Sequence, residues 1–253
     1  MRVRVGFTPA EAVAAPLGVV IDVLRATSTI CQALEAGFER IVCVGEVEEA
    51  RALAGPGVAL AGERGNVRIE GFDFGNSPRE FSPAGAEAQG RGAGAVGDDV
   101  GKPRLVLTTT NGTRLLVAAA GRCEEVLVAS LLNLDAVAAA VRASGAGEVA
   151  LLCAGVEGAF ALDDAYVAGR LAAALGGEPD DAAVAAARLA AAFADAAEAL
   201  GSGVSAANIR RAGLGADIPF CARESVLGVV PRVVARRAGA VEVAAARPRT
   251  ASG

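Results

Sequence analysis

The sequence predicts an α/β fold with helices on both faces of a mainly parallel sheet. Two observations lead there. Short apolar runs rich in Val, Ile and Leu alternate along the chain with longer Ala/Leu stretches of helical length. The runs at 17–22, 104–109 and 148–153 are continuously apolar rather than alternating, as strands buried on both faces are. The candidate strands, in order, are 2–6, 17–22, 40–44, 58–61, 104–109, 125–130 and 148–153. The candidate helices are 27–36, 46–54, 112–120, 134–143, 161–175 and 181–200. Residues 62–103 read differently. They are rich in Gly, Pro and charge with little periodicity, which predicts a long irregular segment of functional or mobile character. The Ala-Arg-Pro tail beyond 245 is expected to fray.

At 253 residues the chain can bury a full core in one domain, assigned here to 1–245, with 246–253 as tail. A weak internal repeat pairs a segment within 1–80 with one within 104–240. Thr29 and Thr113 each sit in a strand, Thr-loop, helix unit, and Gly37 and Gly121 close the helices that follow. Duplication and coincidence both stay open, since any two β-α-β units look alike in an Ala-rich chain.

Composition excludes several function classes. Hydrophobic residues make up 53% of the chain and charged residues 21%, so the chain is globular. Net charge is −5 with no basic run, and Trp is absent, which argues against nucleic acid as a partner. No apolar stretch reaches the ~20 residues a membrane span needs. The N-terminus alternates like a strand and has no apolar signal core. The five cysteines lie far apart without a Cys-x-x-Cys pair, which predicts buried free thiols in a reducing cytoplasm. With no histidine, a Ser-His-Asp triad, phosphohistidine and an imidazole base are all impossible.

Four segments can carry chemistry. In Asp22-Val23-Leu24-Arg25-Ala26-Thr27-Ser28-Thr29 an apolar strand ends in Asp and Arg and runs into three hydroxyl residues at a helix start. Free N–H groups, hydroxyls and a guanidinium fork suit phosphate or carboxylate. An ordinary N-cap would need only one hydroxyl, and a surface ion pair with Asp22 is the plain alternative role for Arg25. Thr108-Thr109-Thr110-Asn111-Gly112-Thr113 repeats the design, with a glycine that lets backbone approach a ligand. Turns of this form at corresponding strand ends would share a crevice. Gly62-Glu63-Arg64-Gly65 leaves a strand into the irregular region, ahead of Gly71-Phe72-Asp73-Phe74-Gly75-Asn76-Ser77-Pro78. Asp163-Asp164 open a helix, where they complement its dipole or complete a hard-metal site. Gly92–Gly97 matches a dinucleotide fingerprint only by letter, and Gly101-Lys102-Pro103 is not a P-loop; no Asp-x-Asp pair, Gly-x-Ser-x-Gly elbow or cysteine-phosphatase spacing is present.

These motifs, together with Asp164-Ala165-Tyr166-Val167-Ala168-Gly169, follow the order of the 2-phosphosulfolactate phosphatase family, which the chain resembles over roughly 17–230. The resemblance implies a three-layer α/β/α fold, a Mg²⁺ requirement and hydrolysis of (2R)-2-phospho-3-sulfolactate to 3-sulfolactate in coenzyme M biosynthesis. The family often carries Glu-Asp where this chain has Asp163-Asp164, and the His common in its C-terminal third has no counterpart here. On this basis Asp22 and Glu63 are expected at the metal, with Asp73 or Asp164 beside them, and Asp22, Arg25, Glu63 and Arg64 form the catalytic set. Thr27, Ser28, Asn76, Ser77, Thr110, Asn111, Gly112 and Thr113 are expected to hold the anionic substrate. Without His, water activated by the metal and a carboxylate is favoured. The partner is a small anionic phosphate ester, a homodimer is an open alternative to a monomer, and the rival function is a non-catalytic anion sensor on the same scaffold.

Overall fold

The computed structural model describes residues 1–11, 13–88 and 104–245. The strands are β1 (Arg2–Gly6), β2 (Leu17–Ile21), β3 (Arg40–Val44), β4 (Val58–Arg64), β5 (Val67–Arg68), β6 (Arg104–Thr108), β7 (Glu125–Ala129), β8 (Glu148–Cys153), β9 (Glu178–Pro179), β10 (Pro231–Arg237) and β11 (Ala240–Ala245). The helices are α1 (Ala26–Glu35), α2 (Val47–Ala52), α3 (Pro83–Ala88), α4 (Gly112–Ala120), α5 (Leu134–Ala143), α6 (Leu162–Leu175), α7 (Asp181–Ala191), α8 (Ala196–Ser202), α9 (Val204–Arg211) and α10 (Asp217–Cys221). All strands join one sheet in the order β5-β4-β6-β3-β11-β10-β7-β2-β8-β1-β9.

The sheet is mostly parallel, as expected, but it has two arms. β4, β6 and β3 pair in parallel, and so do β7, β2, β8, β1 and β9. Between the arms stands the β10–β11 hairpin, antiparallel within itself and to both neighbours. Three successive antiparallel ladders reverse the strand sense from one arm to the other. The sequence reading assigns no strand here. Its signal was a turn at Ala238-Gly239 between two Val-bearing runs, obscured by arginines on β10's exposed side.

Burial on both faces explains the continuous apolar strands. Leu17, Val19 and Ile21 of β2, with Val149 and Leu151 of β8, pack on Val137, Val167 and Leu171 of α5 and α6. The opposite residues, Val20 and Leu152, meet Ile30 of α1 and Leu116 of α4, which also touch Ile41, Cys43, Leu105 and Leu107 of the other arm. α1 and α4 therefore fill the space between the arms. On the outer side Ala50 of α2 covers Val44, Leu60 and Val106. α6 and α7 approach closely because Gly169 has no Cβ to strike the Ala186 carbonyl.

Two expectations are corrected. The helix expected over 181–200 breaks after Ala191, because Asp195 accepts the Glu198 amide at 2.8 Å and caps a new helix. The segment from 62 is ordered as far as 88: Phe74 and Phe81 stack at 4.6 Å against Phe38, and Phe72 lies in the outer core. These rings fix the loop that carries Asp73, Asn76 and Ser77. The expectations for 89–103 and 246–253 lie outside the described residues. All five cysteines are buried and free, and burial pushes Cys31, Cys43 and Cys221 up to about 12. No helix among the described residues is long and apolar enough to cross a membrane.

Candidate active site

The two Thr-rich turns meet where α1 and α4 begin. A Cβ placed on Gly112 would come within 2.5 Å of both Ala26 Cβ and Asp22 Oδ2. Gly112 thus makes room for a neighbouring carboxylate. The hydroxyls around it mostly turn inward. Thr27 Oγ1 donates to the Asp22 carbonyl at 2.8 Å, Ser28 Oγ to Val23 at 2.8 Å and Thr29 Oγ1 to Asn76 at 3.0 Å. Thr113 and Thr109 bond to each other across the start of α4. The three hydroxyls that exceeded the need of a cap therefore stitch α1 to its strand and to the 72–78 loop. Thr110 differs: its amide binds Glu63, but its buried Oγ1 has no partner. Asn111 Oδ1 accepts the Glu157 amide at 3.2 Å.

An acid cluster lies at the end of β2. Asp22 Oδ1 accepts the Ala26 amide at 3.2 Å. Asp164, at the start of α6, receives the Val23 and Gly155 amides at 2.9 and 3.0 Å, which joins the ends of β2 and β8. Asp163 accepts from Ser205 at 2.7 Å. Burial raises all three carboxyls: Asp22 to about 7, with Asp163 and Glu63 adding to the shift; Asp163 to about 6; Asp164 well above the ordinary range, with both neighbours contributing. Buried carboxylates that repel one another are a natural place for a cation. Among the described residues no group of three or more His, Cys, Asp or Glu side chains is arranged to hold a metal. Both oxygens of Asp164 are already held by amides, whereas Asp22 Oδ2 accepts no amide; Mg²⁺ needs only one or two carboxylates and completes its shell with water and substrate oxygens. Glu63 stands nearby with each oxygen accepting an amide at 2.8 Å, from Asn66 and Thr110. Asp73 is held apart: it is exposed and binds the Leu60 amide at 2.9 Å on β4.

Arg25 is buried, and its partner is Asp217 rather than Asp22: Nη1 donates to Asp217 Oδ2 at 2.8 Å. Asp217 Oδ1 also accepts from Ser77 Oγ at 2.6 Å. Sequence reasoning missed Asp217. Its signal was an acid inside the apolar run Ile218-Pro219-Phe220-Cys221, where burial demands a partner. Nη2 of Arg25 reaches only to Asn66 Oδ1 at 3.4 Å, and Nε has no partner at all. The Nε/Nη2 edge, the side that can fork to an oxyanion, is therefore the less satisfied one.

Arg25 is also one of the residues lining a cleft of about 470 Å³. Asn76, whose buried Oδ1 is also unpartnered, and Ser77 line it, together with Arg68, Arg79 and Phe220, which sequence reasoning did not single out. Arg64 points elsewhere, donating to the carbonyls of Glu63 and Gly45 and to Thr108 Oγ1. The site has two parts, an acid cluster and an arginine-lined cleft. Arg25 is common to both, since it lines the cleft and its charge acts on Asp22.

Comparisons with known proteins converge on one family. The family model of 2-phosphosulpholactate phosphatase matches residues 6–236. A probable 2-phosphosulfolactate phosphatase from Thermus thermophilus is 42% identical over 236 residues, 91% of this chain and 94% of that protein. One from Deinococcus radiodurans is 39% identical over 92% of this chain and 94% of its own length. The 2-phosphosulfolactate phosphatase of Methanothermobacter thermautotrophicus is 35% identical over 91% and 92%. With a match of this extent over the segments that build the site, the chain belongs to the 2-phosphosulfolactate phosphatase family.

Proposed function

We propose that the chain hydrolyses the phosphate monoester of a small acidic 2-hydroxy acid in a Mg²⁺-dependent reaction, with (2R)-2-phospho-3-sulfolactate as substrate and 3-sulfolactate and phosphate as products. The observation that carries this reading is Arg25: a buried guanidinium whose Nε has no partner, joining a cluster of raised carboxyls to an open cleft. Asp22 and Asp164 are the ligands assigned to the cation, which when bound supplies positive charge against the phosphoryl oxygens. Arg25 takes two oxygens of the phosphoryl group and offsets the charge that builds on them. With no histidine in the chain, proton movement falls to the acid cluster, where Asp163, outside the assigned ligand pair, is raised by burial to about 6 and exchanges protons near neutrality.

The test is phosphate release from a panel of 2-phospho-hydroxy acids, in Mg²⁺ and in EDTA. The expected result is turnover of the sulfonated ester in Mg²⁺ only. No release from any ester would return the site to the anion-sensor reading, and equal release in EDTA would remove the cation.

A further inference from the structure

The cleft beside Arg25 contains more positive charge than a phosphoryl group bound at Arg25 uses. Arg68 and Arg79 both line it, and both are exposed. Arg79 makes no ion pair among the described residues, and Arg68 reaches only the Asp73 carbonyl at 3.5 Å. The opposing charge in the wall is Glu80, whose Oε2 is occupied by the Gly75 and Ser77 amides at 2.9 and 3.4 Å. Its carboxyl is raised by burial, with Arg68 acting against that shift. Two arginines thus face one partly engaged acid across an open volume, with Phe220 as an apolar wall.

Both arginines are placed by the fold. Arg68 lies on β5, which pairs Glu63 with Arg68 directly beyond the acid-bearing end of β4. Arg79 sits in the 3-10 turn Pro78–Phe81, which Phe81 anchors to the core. Asn76 lies between that turn and Arg25, with its buried Oδ1 turned to no protein group. A ligand in the cleft therefore meets the buried Arg25 and Asn76 together with the exposed Arg68 and Arg79.

We propose that Arg68 and Arg79 form an outer subsite that holds the sulfonate of the substrate, while Arg25 holds the phosphoryl end. The subsite rests on the phosphatase reading and adds to it the residues that select the sulfonated ester over esters that lack the sulfonate. An exposed arginine holding a strong acid through charge-assisted hydrogen bonds discriminates by differential affinity.

The experiment compares kcat/KM for (2R)-2-phospho-3-sulfolactate and for 2-phospholactate, which has a methyl group in place of the sulfonated carbon. It uses the full chain, Arg68→Ala, Arg79→Ala, and the remote surface control Arg188→Ala. Loss of a charged hydrogen bond predicts that the preference for the sulfonated ester falls about tenfold in each cleft variant, mainly through KM. The control keeps the preference of the unaltered chain. An unchanged preference in both cleft variants overturns the proposal, as does an equal loss on both esters. If the unaltered chain hydrolyses neither ester, the phosphatase reading fails by itself. Calorimetric binding of 3-sulfolactate against lactate then tests the subsite: tighter sulfolactate binding that weakens in the variants supports it, and equal binding overturns it.

Discussion

Arg25 and Asp217 are joined as a buried ion pair at 2.8 Å, so a substitution at either position acts on stability and activity together. Removing one partner leaves the other charged group uncompensated, at a cost of about 3–5 kcal/mol. Arg25→Ala is therefore expected to lower Tm as well as turnover. The two effects separate in a double variant. Arg25→Met with Asp217→Leu replaces the pair by apolar groups and is expected to recover much of the lost Tm while turnover stays depressed about a hundredfold or more, the scale of a lost oxyanion donor. A double variant that regains both stability and turnover would reduce Arg25 to a structural role. Sequence position alone indicated Asp22, Arg25 and Glu63, because charged groups at the ends of apolar strands are costly unless used. It could not supply Asp217, which lies 192 residues away and enters only through tertiary packing. Nor could it show that Thr27 and Ser28 spend their hydroxyl protons on nearby carbonyls, since the local sequence is the same whether a hydroxyl faces a ligand or its own strand.

The starts of α1 and α4 interlock, and Gly112 is the element that permits it. Gly112→Ala would push a methyl group into Asp22 Oδ2 and Ala26 Cβ. Overpacking of this kind costs about 1–3 kcal/mol, and each kcal/mol lowers Tm by about 2–4 °C in a chain of this size. Because the displaced group is Asp22, the loss of turnover is expected to exceed what the residual folded fraction explains. Gly121→Ala, at the exposed far end of the same helix, with its nearest atom 3.5 Å from an added Cβ, serves as the control. Equal effects of the two substitutions would refute a special role for the junction. Most elements of the two arms were legible, because a strand buried on both faces leaves a continuous apolar run and an Ala/Leu helix beside it leaves a 3.6-residue stripe. The β10–β11 hairpin was not, because its outer strand positions are arginines that hide the alternation. Its insertion reverses the strand sense between the arms, so the two Thr-rich turns do not meet at one end of a simple parallel sheet. They meet because both arms close over the same two helices.

At the scale of the whole molecule, the acid cluster makes stability depend on pH, and the proposed cation site adds an expected dependence on Mg²⁺. In the unfolded chain Asp22, Asp163 and Asp164 lose their protons near pH 4, whereas the folded chain holds those of Asp163 and Asp22 until about 6 and about 7. Between these limits the folded state binds more protons than the unfolded state, so the cluster's contribution to stability falls as pH rises from about 4 through about 7. A cation at Asp22 and Asp164 needs the ionised carboxylates and competes with those protons. The Tm gained by replacing EDTA with Mg²⁺ is accordingly expected to be small at pH 5 and larger at pH 7.5, by about 2–4 °C per kcal/mol of binding energy. Asp22→Asn removes one repelling charge and one ligand together. It is expected to raise Tm in EDTA at pH 7.5 while abolishing most of the Mg²⁺ increment. Other titrating groups cancel in the difference between the variant and the unaltered chain, because both carry them. A Mg²⁺ increment that is the same at both pH values, or that survives in Asp22→Asn, would show that the cation binds elsewhere. The carboxyls would then stand as a purely protonic cluster, with the buried proton rather than a metal offsetting their repulsion.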